Sequence, residues 1–190
     1  MTAVILAGGK NSRIGRNKAF LQIGDNTFIE RIVAKLKSLF ENIIIVTNTP
    51  TDYEFPGIKL IKDIIPDKGP LGGIYSGLNF SSDFYNFFVA CDMPFLNLDF
   101  IDYMCNRVEG YDLVIPYVNG RYEPLHAIYS KNCSVPIKMQ LKENNLKITD
   151  FFNQVKINKI NEQEISRFDP EFQSFININT IKDFENKIEK

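Results

Sequence analysis

Near its amino end the chain reads Ala3-Val4-Ile5-Leu6-Ala7-Gly8-Gly9, an apolar run that stops at two glycines. A short run without polar residues is typical of a buried strand in a parallel sheet. Open α/β sheets bind ligands at the carboxyl ends of such strands, and glycines let backbone N–H groups approach an anion there. The next positions add four cations within nine residues, Lys10, Arg13, Arg16 and Lys18. The stretch therefore predicts a strand that leads into a phosphate-binding loop.

Two familiar phosphate-binding motifs do not fit this loop. A Walker A loop places Lys and then Ser or Thr directly after its second glycine, whereas Gly15 is followed by Arg16. The pair Gly8-Gly9 does not fit the G-x-G-x-x-G fingerprint of dinucleotide-binding folds either. From Leu6 to Lys18 the loop instead reads L-A-G-G-x-x-x-R-x-G-x-x-K.

Strands and helices alternate along the rest of the chain. Apolar runs predict further strands at 43–47, 59–61, 87–90, 112–116 and 124–129. Helical spacing and glycine or capping signals predict helices at 28–40, 69–78, 98–107, 135–143 and 181–188. Thr27 followed by Glu30 is the pattern of a capping box. Because no linker or repeat interrupts this alternation, we expect one α/β domain over residues 1–190, with three layers and a mostly parallel sheet.

Composition excludes several classes of function. The 190 residues carry 22 basic and 23 acidic side chains, and this balance argues against a nucleic-acid-binding protein. Three scattered cysteines, at 91, 105 and 133, form neither a zinc motif nor a disulfide framework, which favours a reducing cytoplasm. No apolar run approaches the ~20 residues of a membrane span, and the chain starts directly with a strand, so we expect neither a membrane segment nor a signal peptide.

Asp92 is the most specific single candidate for chemistry. It follows the strand that we expect at the centre of the sheet, and Pro94 fixes the turn behind it. A carboxylate there can hold Mg²⁺, which prefers one or two carboxylates together with substrate phosphates. On position alone, a turn-forming or capping Asp is the commoner interpretation. The residue types leave both interpretations open.

The other candidates also have two interpretations each. Arg13 and Lys18 could neutralise phosphates, or they could belong to a solvated basic loop, which is the role that we expect for Lys10 and Arg16. Asn48 and Asp63 could simply form turns at strand ends, and Gly72 could serve the packing of a helix on the sheet. His126 could be a buried histidine in an apolar segment, and Asn179 could cap the last helix.

Several segments, in their order along the chain, resemble those of the molybdenum cofactor guanylyltransferases, within the wider nucleotidyltransferase superfamily. They are L-A-G-G at Leu6, G-P-L-G-G at Gly69, C-D-M-P-F-L at Cys91, P-L-H at Pro124 and N-I-N-T at Asn177. The resemblance implies a three-layer Rossmann-like nucleotidyltransferase fold with a mostly parallel central sheet. It also implies a Mg²⁺-dependent transfer of GMP from GTP to the phosphate of molybdenum-bound molybdopterin, with release of pyrophosphate, which makes the molybdopterin guanine dinucleotide cofactor.

The resemblance also implies a role for each matching position. Catalysis would rest on Asp92, Lys18 and Arg13, with Asp92 as the metal ligand. Nucleotide and acceptor contacts would involve Leu6, Ala7, Gly8, Gly9, Lys18, Asn48, Asp63, Gly72, Asp92, His126, Asn177 and Asn179, with His126 toward the acceptor. The implied partners are GTP and molybdenum-molybdopterin, and molybdoenzyme-maturation proteins are further candidates.

Three alternatives remain at the level of sequence. A sibling enzyme would use CTP or another NTP on a phosphorylated acceptor, although L-A-G-G rather than L-A-A-G favours guanine. A nicotinamide-dependent oxidoreductase would need an acid about twenty residues past the glycines, at the end of the second strand. Glu30 has that spacing but falls in the first predicted helix, and the second strand ends at Asn48. A nucleotide-binding regulator without catalysis is the third alternative.

Overall fold

The computed structural model describes residues 1–8, 18–53, 55–178 and 183. Its strands are β1 (Thr2–Leu6), β2 (Gln22–Ile23), β3 (Asn26–Thr27), β4 (Asn42–Val46), β5 (Lys59–Ile61), β6 (Tyr85–Ala90), β7 (Leu113–Val118), β8 (Arg121–Tyr122), β9 (His126–Ser130) and β10 (Ile157–Ile160). Its α-helices are α1 (Phe28–Leu36), α2 (Gly69–Phe80), α3 (Leu98–Cys105), α4 (Ser134–Lys142) and α5 (Glu162–Ile165). Among the described residues, no helix combines the length and the apolar character that crossing a membrane requires.

A mixed central sheet organises these elements. Its strand order is β10-β7-β9-β6-β1-β4-β5, with β8 paired to β7. All neighbours along this order are parallel except at β9, which runs antiparallel to both β6 and β7. β6 therefore lies in the middle of the sheet, as the sequence predicts, and the sheet is mostly parallel.

The sheet is buried on both faces, which makes three layers. Ala3 and Ile5 of β1 pack in one hydrophobic cluster, with residues of α1 and α3. Val4 and Leu6 point to the other face and pack with residues of α2 and α4. Alternation of side chains along a strand produces this division, and it explains why the strand reads as a continuous apolar run. The predicted α/β class is confirmed.

The expected elements lie close to their observed bounds, with some differences. The capping box is present, since the Thr27 N–H donates to Glu30 Oε2 at 2.6 Å and the Glu30 N–H donates to Thr27 Oγ1 at 3.4 Å. α1 ends at Leu36 rather than at Phe40, because the residues after Leu36 form turns. Sequence reasoning missed β2, β3, β8, β10 and α5, which are two to four residues long. The helix predicted at 181–188 lies outside the described residues apart from position 183.

Candidate functional site

Four parallel strands end at the same level of the sheet. Leu6 at the end of β1 is paired with Val46 of β4 on one side and with Ala90 of β6 on the other. Val46 is paired in turn with Ile61 at the end of β5. The loops that follow these strands therefore start at one edge, and they carry the candidates Ala7, Gly8, Asn48, Asp63 and Asp92.

The first loop is anchored to both neighbouring strands through its main chain. The Ala7 N–H donates to the Val46 carbonyl at 2.9 Å, and the Cys91 N–H donates to the Leu6 carbonyl at 3.0 Å. The Tyr53 hydroxyl donates to the Ala7 carbonyl at 3.2 Å. Tyr53 is buried, and nothing in its sequence surroundings indicates this contact. The start of the loop is therefore held rigidly at the centre of the edge.

Gly8 leaves an open position on this edge. It is exposed and its φ lies outside the left-handed region, so the turn itself does not require a glycine. A Cβ built there would lie 3.8 Å from Asn48 Nδ2, which is ordinary contact. The absence of a side chain therefore leaves the surface beside Asn48 accessible to a ligand.

Asn48 and Asp63 form a polar pair on the β4–β5 side. The Asn48 amide donates a hydrogen bond to the Asp63 carboxylate. The buried Ser76 hydroxyl of α2 lies 3.4 Å from Asp63 Oδ1 and 2.8 Å from the Gly72 carbonyl. Partial burial raises the pKa of Asp63, while the hydrogen bonds from Asn48 and Ser76 oppose this increase. A poorly solvated carboxylate in this setting is a strong acceptor for the N–H or O–H groups of a ligand.

The glycines of α2 serve close packing. A Cβ at Gly73 would lie 3.0 Å from Leu6 Cδ2, and one at Gly77 would lie 2.7 Å from Phe88 and Val4. The start of α2 can therefore approach the end of β1. No side chain caps this end of α2 in the part of the chain that the structure describes.

Gly72 is also close-packed, since a Cβ there would lie 2.8 Å from Lys68 Cβ and 3.3 Å from the Ile65 carbonyl. These neighbours lie in the segment directly before α2 and not in the sheet, so Gly72 packs against that segment. The nucleotide contact implied for it stays a prediction.

Asp92 and Asn177 come together at the β6 side of the edge. The Ile178 N–H donates to the Asp92 carbonyl at 2.8 Å, and the Ile178 side chain is fully buried next to Phe28. Asp92 is half-buried, and Asn177 is exposed. A main-chain hydrogen bond thus joins Asp92 to Ile178, and Asn177 directly precedes Ile178 in the sequence.

The oxygen atoms of the side chains on this side are of the kind that binds a hard cation. A carboxylate and an amide oxygen are ligands that Mg²⁺ accepts, and Mg²⁺ usually completes its shell with water and substrate phosphates. Within residues 1–8, 18–53, 55–178 and 183, no cluster of three His, Cys, Asp or Glu side chains could hold a metal by itself. The role of metal ligand expected for Asp92 stays a prediction.

His126 is buried in the core, which supports the interpretation of a histidine in an apolar segment over the acceptor contact that the resemblance implies. Its ring is fully buried, and its centroid lies 5.1 Å from that of Phe87, 5.9 Å from Phe100 and 5.2 Å from Phe175. Neither ring nitrogen has a hydrogen-bond partner among the described residues. Burial lowers the pKa of His126 to about 4, although Asp169 raises it slightly. His126 is a core residue beneath the edge, because β9 is covered on both faces.

Glu123 is a carboxylate at this edge that sequence reasoning missed. It is half-buried and directly precedes the P-L-H segment that leads into β9. Burial raises its pKa, and the charge of Arg121 opposes that shift. Arg121 itself is exposed in β8.

Several predicted site residues cannot be located. Gly9, Arg13 and Asn179 lie outside the described residues, as do Lys10 and Arg16. Lys18 begins a 3₁₀ turn, Lys18–Phe20, directly after the undescribed part of the loop. The roles expected for these residues stay predictions.

Comparison with known sequences shows which proteins this chain is similar to. The sequence model of the MobA-like NTP transferase domain matches residues 3–156. A probable molybdenum cofactor guanylyltransferase of Clostridium perfringens strain 13 is 43% identical over 199 aligned positions, which cover 100% of this chain and 96% of that protein. The corresponding protein of Natranaerobius thermophilus is 37% identical, with 97% of this chain and 93% of that protein covered.

Solved structures share the fold. Molybdopterin-guanine dinucleotide biosynthesis protein A of Archaeoglobus fulgidus superimposes with a TM-score of 0.83 at 24% identity, covering 100% of this chain and 97% of that one. The 2-C-methyl-D-erythritol 4-phosphate cytidylyltransferase of Thermus thermophilus gives a TM-score of 0.68 at 13% identity, covering 96% of this chain and 95% of that one. The three-layer nucleotidyltransferase fold predicted from sequence is confirmed.

Proposed function

The chain belongs to the MobA-like NTP transferase family, and on that basis we propose that it transfers GMP from GTP to the phosphate of molybdenum-bound molybdopterin. An oxygen of the acceptor phosphate attacks the α-phosphorus of GTP and forms a new P–O bond. The bond between the α-phosphorus and the oxygen that bridges to the β-phosphate breaks, and pyrophosphate leaves with that electron pair. The product is the molybdopterin guanine dinucleotide cofactor.

One observation carries this proposal: polar side chains lie on both sides of the loop that follows β1. Asn48 and Asp63 follow β4 and β5, whereas Asp92 follows β6. Between β5 and β6 there are three strand spacings, about 14 Å at ~4.8 Å each. A nucleoside triphosphate lying across the open Gly8 position would have its nucleoside at Asn48 and Asp63 and its phosphates at Asp92.

On the nucleoside side, hydrogen-bond acceptors of the protein would meet the N–H donors of guanine. Guanine offers N–H donors, and the Asp63 carboxylate is a strong acceptor because burial raises its pKa. The Ala7 carbonyl already accepts the Tyr53 hydroxyl and has a second lone pair for a ligand donor. The main chain of Leu6, Ala7 and Gly8 would thus recognise the base by shape and hydrogen bonds.

On the phosphate side, charge neutralisation is the main requirement. Asp92 and Asn177 would hold Mg²⁺, which when bound polarises the α-phosphate and neutralises charge on the leaving pyrophosphate. Lys18 and Arg13 would stabilise the same developing charge, and Gly9 and Asn179 would complete the contacts. Catalysis would then consist of positioning and electrostatic stabilisation.

The reaction does not need a general base from the protein. A phosphate monoester has its second pKa near ~6 and is therefore ionised at neutral pH. The buried ring of His126 has no access to the edge, so it plays no part in proton transfer here. The three scattered cysteines of the sequence, at 91, 105 and 133, favour the reducing cytoplasm that we propose as the location of this reaction.

The proposed function is tested by the release of pyrophosphate when the protein is mixed with GTP, Mg²⁺ and molybdenum-molybdopterin. We expect release that depends on the acceptor and that is much faster with GTP than with CTP, ATP or UTP. Faster release with CTP would assign the chain to the sibling activity instead. Tight nucleotide binding without release from any of the four would support the regulator alternative.

The oxidoreductase alternative has lost its support. The strand β4 is followed by Thr47 and Asn48 rather than by an acid, and Glu30 lies in α1. The family match assigns the chain to the nucleotidyltransferases instead.

A further inference from the structure

Asp169 is a buried carboxylate that organises the segment leading to Asn177. It is 6% exposed, yet it lies in none of the strands of the sheet. Its Oδ1 accepts the Gln173 N–H at 2.9 Å, and its Oδ2 accepts the Ser174 N–H at 2.8 Å. Both carboxylate oxygens therefore fix the backbone of the turn between Asp169 and Ser174.

Ser174 links this turn to the loop that carries Asp92. Its side chain is fully buried, and its Oγ accepts the Asn97 N–H at 3.2 Å and lies 3.3 Å from the Phe95 carbonyl. The Asn97 side chain returns the contact, since its Nδ2 donates to the Phe168 carbonyl at 2.8 Å. The segment 168–174 and the segment 95–97 are thus joined by hydrogen bonds in both directions.

Two further features show that this turn is held firmly. Phe172 has a φ of 54°, in the left-handed region that is sterically unfavourable for a bulky side chain. Such strain persists where the surroundings over-determine the conformation. Phe175, one residue after Ser174, packs against the rings of His126 and Phe100. The turn therefore has a single well-defined position on the sheet edge.

The geometry points to Asp169 as a positioning residue for the phosphate side of the site. By folding the turn 169–174 onto the segment 95–97, Asp169 brings Asn177 alongside Asp92, and the Ile178 N–H then donates to the Asp92 carbonyl. The turn thus adds to the burial of Ile178 next to Phe28 a second constraint on where Asn177 lies relative to Asp92. The inference rests on the proposed function for its catalytic consequence, whereas the positioning of residues 175–178 can be measured separately.

The test compares Asp169→Asn with Asp112→Asn. Asp112 also accepts a hydrogen bond from the backbone N–H of Lys156, and two more from the side chains of Asn132 and Ser130. It precedes β7, which is parallel to β6, so it lies at the opposite edge of the sheet. The control therefore removes a similar carboxylate without touching the proposed site. Ser174→Ala, which removes only the links to residues 95 and 97, serves as a milder second variant.

Hydrogen exchange and Mg²⁺ dependence are the two measurements. We expect Asp169→Asn to speed amide exchange in 173–178 at least tenfold, and to raise the Mg²⁺ concentration for half-maximal pyrophosphate release about tenfold. Ser174→Ala should change both in the same direction, and Asp112→Asn should change neither. Equal effects of Asp169→Asn and Asp112→Asn, or unchanged exchange in both site variants, would overturn the inference.

The two proposals fail in different ways. A wild-type protein that does not release pyrophosphate from any NTP would overturn the proposed function, while faster exchange in the Asp169 and Ser174 variants would still support the positioning of residues 175–178. An active wild type whose Mg²⁺ dependence is the same in Asp169→Asn would overturn the catalytic consequence of the positioning. If Asp169→Asn does not fold, the Ser174→Ala result decides in the same terms.

Discussion

Acidification should destabilise this fold through one side chain, His126. Burial lowers the pKa of its imidazole to about 4, whereas the unfolded chain has the ordinary value of 6.5. Between these values the unfolded chain binds a proton that the folded chain does not, so the free energy of unfolding falls as the pH falls. With ~1.36 kcal/mol per pKa unit, the loss relative to neutral pH is about 2 kcal/mol at pH 5 and about 3 kcal/mol at pH 4.

The assay is urea unfolding of the wild type and of His126→Phe at pH 7, 6, 5 and 4. Phenylalanine suits the position because Phe87, Phe100 and Phe175 already surround the ring. Carboxylates titrate in the same range, but they contribute to both proteins and largely cancel in the difference. Since the chain contains a single histidine, its imidazole proton resonances also report the titration directly.

The wild type should lose stability relative to His126→Phe by the amounts given above as the pH falls from 7 to 4. In the folded protein the imidazole should show no titration above about pH 5. A difference between the two proteins that stays constant with pH, or an imidazole that titrates near ~6.5, would refute the assignment of His126 to the core.

Two glycine substitutions should behave in opposite ways. Gly77→Ala should lower the free energy of unfolding by about 1–3 kcal/mol in urea titrations, because its Cβ would meet Phe88 and Val4 at 2.7 Å; an unchanged midpoint would contradict that packing. Gly8→Ala should change stability by less than about 0.5 kcal/mol, since its Cβ would make only ordinary contact, yet it should weaken GTP binding at least tenfold in calorimetry. Equal GTP affinity in Gly8→Ala and wild type would remove the case for a ligand at that position.

The central strands could be predicted from sequence because a parallel sheet covered on both faces leaves a strong signal. Residues 3–6, 43–46 and 87–90, which make up most of β1, β4 and β6, are continuously apolar. The antiparallel direction of β9 has no such signal, since a buried strand reads the same in either direction. Strands of two residues, such as β2 and β8, contain too few positions for any alternation to appear.

The sequence indicates which candidate residues follow the ends of strands, but it does not indicate which of them contact one another. Asn48 and Asp63 were expected at the ends of separate strands, and their hydrogen bond follows only from β4 and β5 being neighbours. For His126 the sequence does contain a signal for burial, because Leu125, Ala127 and Ile128 next to it are apolar. The Asp169 carboxylate itself accepts hydrogen bonds from residues four and five positions further on. The turn that it fixes is joined to a segment about 70 residues away, as in the hydrogen bond from Asn97 to Phe168, and no local pattern indicates that contact.

The expectation for Asp92 concerns the chemistry of the site most directly. Asp92→Asn keeps the size of the side chain and removes the charge that would hold Mg²⁺. Asp99→Asn is a matched control, because Asp99 is an exposed acid in the first turn of α3, seven positions along the chain. Both variants should unfold cooperatively with nearly the wild-type midpoint.

Pyrophosphate release from GTP in the presence of molybdenum-molybdopterin and saturating Mg²⁺, compared among the wild type, Asp92→Asn and Asp99→Asn, tests the central claim. The account predicts acceptor-dependent release by the wild type and Asp99→Asn, and a rate at least a thousandfold lower, about 4 kcal/mol in the barrier, for Asp92→Asn. Near-normal release by Asp92→Asn would contradict it.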